Sequence, residues 1–136
     1  MVSRKWVMAG VAALVSTAAV AGYVQPAPVS VDTTARVALG DQVTARYSKN
    51  NVEFIGCGMR HISDGVGGIY TWAFCQATDA KGVQAFCSTE DPGLVAALAS
   101  GGEFGFITFS WNAAEECTRI GFSNQSFYLP KKLDSN

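Results

Sequence analysis

Four cysteines, one histidine and a few clustered carboxylates are the residues of this chain that could do chemistry. Cys57, Cys75, Cys87 and Cys117 are separated by gaps of 18, 12 and 30 residues. Zinc sites usually carry thiolates in close Cys-x-x-Cys pairs, and no such pair is present. An even number of cysteines behind an export leader reads instead as two disulfides. Four cysteines allow three pairings. Cys75 with Cys87 fits a hairpin register, but it staples strands that already pair locally and occupies a hydrogen-bonded position, where the Cα atoms are farther apart. Cys57 with Cys75 and Cys87 with Cys117 ties neighbouring runs together and closes a larger loop around a helix. This is the favoured pairing.

The single histidine lies in Arg60-His61-Ile62-Ser63-Asp64. A small secreted hydrolase would use His61 as base, Ser63 or a distant serine as nucleophile and Asp64 as orienter. Triad members normally come from separated parts of a fold, and no nucleophile-elbow pattern occurs. Asp64 is read more simply as the start of a turn before Gly65. Gly65-Val66-Gly67-Gly68 lacks the Lys-Ser/Thr ending of a phosphate loop. Asp64, Asp79, Glu90, Asp91, Glu115 and Glu116 sit in or near turns without forming a dense calcium loop. No catalytic residue, metal or cofactor is therefore assigned.

The elements that would position these residues centre on GIYTWAFCQATDAKGVQAFCS, residues 68–88. Two β-rich runs, 69–77 and 83–87, flank Asp79-Ala80-Lys81-Gly82. Asp suits the start of a type I turn and Gly a following left-handed position. Such a loop makes a hairpin with Asp79 opposite Val83, Ala77 opposite Ala85 and Cys75 opposite Cys87. Because side chains alternate faces, Tyr70, Trp72 and Phe74 share one face and Cys75 lies on the other.

The N-terminus has the layout of a secretory leader. Arg4 and Lys5 precede an apolar run from Trp6 to Gly22, and Ala19-Val20-Ala21 supplies the small-x-small cleavage pattern. Residues 1–21 are read as a signal peptide of bacterial style. The mature chain is expected to be exported, secreted or periplasmic, with no membrane span left after leader removal. The whole chain of 136 residues carries ten basic and eleven acidic residues, net −1. Without Arg4 and Lys5 the balance is eight against eleven, or −3. No basic stripe is present, so a nucleic-acid partner is not expected.

Residues 22–50 read as an extended N-terminal arm, with two prolines early and a short hairpin or added edge strand over residues 36–47. Residues 51–130 form the β-rich disulfide domain and 131–136 a polar tail. Residues 52–59 read as a strand and 60–68 as a loop. Residues 90–102 give the one convincing helix, with Asp91 as cap, Pro92 in the first turn and Gly101 as terminator. Residues 104–111 and 117–122 are strands joined by the turn Asn112-Ala113-Ala114-Glu115-Glu116, and residues 123–129 extend as a short edge strand. The expected fold is α+β and β-rich: a small antiparallel sheet or sandwich of hairpins with one short helix, stapled by disulfides.

Aromatic residues crowd the second half: Tyr70, Trp72, Phe74, Phe104, Phe106, Phe109, Trp111, Phe122, Phe127 and Tyr128. Most are needed for the core of a small sandwich. So short a chain cannot bury both aromatic faces, however, and Tyr70, Trp72 and Tyr128 are the candidates for an exposed strip. Such a strip suits a protein or an envelope glycan. The leading expectation is a non-catalytic exported binding domain, with an enzyme inhibitor as one form of it. A surface or coat protein that self-associates through edge strands is the alternative, and the His61 hydrolase is the second.

Overall fold

The computed structural model describes residues 22–102 and 104–129. The expected leader (1–21) and polar tail (131–136) lie outside the described residues. Two antiparallel sheets carry the fold. The first has four strands: β1 (Ser30–Asp32), β2 (Val37–Asp41), β6 (Phe106–Trp111) and β7 (Cys117–Ser123), in the order β1-β2-β6-β7. The second has three: β3 (Phe54–Ser63), β4 (Ile69–Thr78) and β5 (Gln84–Thr89), in the order β3-β4-β5. The β-rich fold, the short helix and both disulfides follow the sequence expectation.

The central hairpin has the expected register, with Ala77 opposite Ala85 and Cys75 opposite Cys87. Asp79 N donates to Val83 O at 3.0 Å, and Gly82 takes a positive φ of 83°. A Cβ would be strained there, which is why glycine occupies the position. Asp79 also accepts from Lys81 N and Val83 N, so its carboxylate holds the turn closed.

Three elements differ from expectation. Residues 60–63 are not loop but the far half of β3: Arg60 pairs with Trp72 and His61 with Thr71. The turn is confined to residues 64–68, because Asp64 Oδ1 accepts from both Val66 N and Gly68 N at 2.9 Å and Gly65 and Gly67 take positive φ. That compact turn lets both strands run to its edge. The N-terminal arm is built into the domain, since β2 lies between β1 and β6. Its second half is a helix, α1 (Gln42–Arg46). The buried Asp41 carboxylate explains both, accepting from Thr44 N as helix cap and from Ala27 N across the chain, at 2.7 and 2.6 Å. Finally, residues 126–128 form a 3₁₀ turn rather than an edge strand.

The second helix, α2 (Pro92–Ala99), starts as the sequence indicates: Asp91 Oδ1 accepts from Leu94 N at 2.9 Å and Pro92 opens the first turn. Leu98 is buried and Leu94 packs on the core. No helix among the described residues is long and apolar enough to cross a membrane.

The core lies between the sheets. The three-stranded sheet contributes Ile55, Cys75, Ala77, Ala85 and Cys87, and the four-stranded sheet contributes Ala38, Ile107, Phe109 and Cys117, so both layers mix large and small side chains. Large against small is how close-packed layers interdigitate. Phe109 is fully buried, between Ala38 and Ile120 in its own sheet; its burial contributes roughly 2–3 kcal/mol. Cys57–Cys75 joins β3 to β4, and Cys87–Cys117 joins β5 to β7. The second bond therefore crosses from one sheet to the other.

Candidate binding surface

The three-stranded sheet spends Ile55, Ala73, Cys75, Ala77, Ala85 and Cys87 of its inner face on the core, while His61, Ser63 and Ile69 at the far end of that face are exposed. Its outer face is the surface left to explain. Alternation places Phe54, Gly56, Gly58, Arg60 and Ile62 of β3 on that face, beside Tyr70, Trp72 and Phe74 of β4 and Phe86 of β5. Phe54, Ile62, Tyr70 and Phe86 are exposed.

The rings organise one another. Trp72 and Phe74 stack with centroids 4.9 Å apart, and Phe86 sits 6.4 and 6.5 Å from them. The Arg60 guanidinium lies over Phe74 at 5.1 Å, a cation–π distance. Phe74 can lean towards β3 because Gly58 is beneath it: a Cβ there would stand 3.0 Å from the ring. The missing side chain of one strand is thus filled by the aromatic of its neighbour.

Beside this platform is a cleft of about 520 Å³, lined by Trp72, Ser88, Thr89, Glu90, Asp91, Glu116 and Cys117. The turn of residues 112–116 brings Glu116 to it. Asn112 Oδ1 accepts from Glu116 N, and Glu115 adopts a left-handed φ of 59°. Ser88 N then donates to Glu115 O, bridging the two sheets at the cleft. Tyr70 OH donates to the Glu90 carboxylate. This bond, together with desolvation and the repulsion a phenolate would feel from Glu90, raises the Tyr70 phenol above its ordinary value of 10.0.

Of the residues singled out from sequence, Tyr70 and Trp72 lie on this face together. Tyr128 does not join them: it is only 8% exposed and packs against Phe106 and Phe127 beside the other sheet. It sits in the 3₁₀ turn of residues 126–128. Phe86, Phe54, Ile62 and Arg60 were missed. Phe86 was legible from the hairpin register, which sets it opposite Gln76 on the Phe74 face. The β3 residues are not, because the glycines at 65, 67 and 68 give their half of the strand the pattern of a loop.

The proposed triad does not assemble. His61 Nδ1 is 3.0 Å from Thr71 Oγ1, Ser63 Oγ accepts from Gly65 N, and Asp64 is engaged with its own turn. Those turn bonds hold the Asp64 carboxyl below its ordinary 3.8. All four cysteines are bonded, so the close sulfurs of Cys75, Cys87 and Cys117, within 4.8 Å of one another, are two disulfides packed together.

Comparison with known proteins finds no matching family model, no matching curated protein and no matching solved structure. Fold and surface together define a small, disulfide-stapled, two-sheet β domain with one aromatic sheet face open to solvent.

Proposed function

We propose that this chain is an exported, non-catalytic binding domain that docks a partner protein on the outer face of its three-stranded sheet. The observation that carries the reading is the Trp72–Phe74–Phe86 cluster with Arg60 over Phe74, left uncovered on a domain that already has a core. Trp, Tyr and Arg are the residue types that dominate binding energy at protein interfaces. A glycan is the weaker fit. Sugars stack on open ring faces, whereas Trp72 and Phe74 turn their faces to each other.

The adjoining cleft supports a basic group on the partner. Glu90, Asp91 and Glu116 line it beside the Trp72 ring, a setting that favours a lysine or arginine side chain by charge and by cation–π attraction. The two disulfides and the leader-like N-terminus support a role outside the cytoplasm.

The test is capture by the immobilised, oxidised protein from its own cell envelope and medium. A single dominant protein is expected, lost in folded Trp72→Ala and weakened by Glu116→Gln or added salt. Recovery of a polysaccharide, or a protein retained equally by both variants, overturns the reading.

A further inference from the structure

The free backbone edge of β3 is a second feature that the partner-binding reading does not use, although Phe54, Arg60 and Ile62 beside it belong to the same face. β3 ends the order β3-β4-β5, so among the described residues no strand pairs with its outer edge. It is ten residues long and contains no proline. Long open edges of this kind are templates for another strand.

The direction of its backbone groups follows from the register. Cys57 and Cys75 face each other with Cα atoms 4.0 Å apart, the close spacing of a non-hydrogen-bonded pair. Asp64 N, one step beyond the strand in the same register, donates to Gly68 O. Even-numbered residues of β3 therefore bond to β4. The N–H and C=O groups of Cys57, Met59, His61 and Ser63 point outward. Arg60 Nη1 donates to one of these carbonyls, Met59 O, at 3.0 Å; a second backbone would replace that exposed side-chain bond.

The side chains of this edge are self-complementary about Gly58. Phe54 lies four residues before it and Ile62 four residues after. Both are exposed, at 44% and 51%. Antiparallel pairing with Gly58 opposite Gly58 puts Phe54 opposite Ile62 twice, and Arg60 opposite Gly56 twice. Gly56 has open space above it, with nothing within 4 Å of a Cβ position, which leaves room for an arginine side chain. No like charges meet. At the centre, two glycines offer no bulk at the positions where side chains approach most closely.

We propose that β3 pairs with β3 of a second copy of this chain about a two-fold axis through Gly58, joining the two three-stranded sheets into one of six strands. The interface is isologous, each residue meeting its complement twice. Because the Phe74 ring leans over Gly58, the two aromatic platforms meet above the axis and form one continuous, two-fold surface. This inference stands apart from the partner reading, since its readout is the association of the pure protein alone.

The experiment is sedimentation velocity over a concentration series, on oxidised protein purified from an exporting host. Wild type is expected to pass from monomer to dimer. The double variant Phe54→Lys with Ile62→Lys sets like charges opposite each other at both ends. It is expected to weaken association by roughly a hundredfold, the scale of a like-charge juxtaposition. Phe54→Glu with Ile62→Lys restores opposite charges in this register and is expected to recover dimer. All these positions are exposed, and near-ultraviolet circular dichroism reports whether each variant keeps its packed core. A wild type that stays monomeric, a Lys/Lys variant that dimerises like wild type, or a folded Glu/Lys variant that fails to recover each overturns the proposal.

Discussion

Cys75 and Cys87 stand directly opposite one another on β4 and β5, yet neither bonds the other. The ladder already joins those strands, and theirs is a hydrogen-bonded position with widely spaced Cα atoms. Each cysteine instead ties its strand to something farther away. Chain-entropy arguments give about 3.2 kcal/mol for the 18-residue separation of Cys57–Cys75 and about 3.6 kcal/mol for the 30-residue separation of Cys87–Cys117. The second bond also joins the two sheets. Replacing Cys87 and Cys117 together by alanine is therefore expected to lower stability more than replacing Cys57 and Cys75. Urea midpoints of the two double variants measure this directly. A larger loss from the Cys57/Cys75 pair would show that the link between sheets is not the main constraint.

Gly56 and Gly58 separate two roles that look identical in sequence. A Cβ at Gly58 meets Phe74 at 3.0 Å, whereas one at Gly56 meets nothing within 4 Å. Gly56→Ala is expected to stabilise the strand by roughly 0.5 kcal/mol through lower unfolded-state entropy. Gly58→Ala pushes the ring away and loses that gain, at a cost of about 1 kcal/mol. It also disturbs the Trp72–Phe74 stack, so tryptophan emission should change in Gly58→Ala and not in Gly56→Ala. Equal spectra in the two variants would mean that Phe74 does not depend on the bare backbone beneath it.

What could be read in advance was local. Asp79, Gly82, Asp91 and Pro92 each specify their turn or cap through their own side chain or backbone, and the structure has them in those roles. The register of the central hairpin follows from its turn, and with it the argument for the disulfide pairing. What escaped was long-range. Asp41 looks like a break between short strands, and only the fold shows its carboxylate gathering Ala27 N and Thr44 N into one buried cap. The strand at residues 60–63 was hidden because Gly65, Gly67 and Gly68 suggest a loose loop. Asp64 is legible as the start of a turn; that its carboxylate closes the turn tightly enough for both strands to run to its edge is not. Tyr128 is long-range too: its burial against Phe106 depends on the 3₁₀ turn of residues 126–128, which no local pattern announces.

Tyr70 offers the most direct check on the geometry of the candidate surface. Its hydroxyl donates to Glu90, one residue ahead of the Asp91 cap of α2, so a single bond ties β4 to the start of the helix beside the Trp72 cleft. The bond requires the protonated phenol. Its folded value lies above 10.0, chiefly because of Glu90. The stabilisation is therefore fully present below pH 10 and disappears as pH rises through the raised folded value. Ultraviolet titration, with Tyr70→Phe to identify the group, should show one phenol ionising later than an ordinary tyrosine. Glu90→Gln removes the carboxylate charge and should bring that ionisation back towards the ordinary value, while loosening the wall of the cleft at every pH. An unshifted phenol in wild type would mean that Tyr70 and Glu90 do not hold each other in solution. The tie between β4 and the start of α2 beside the Trp72 cleft would then be absent.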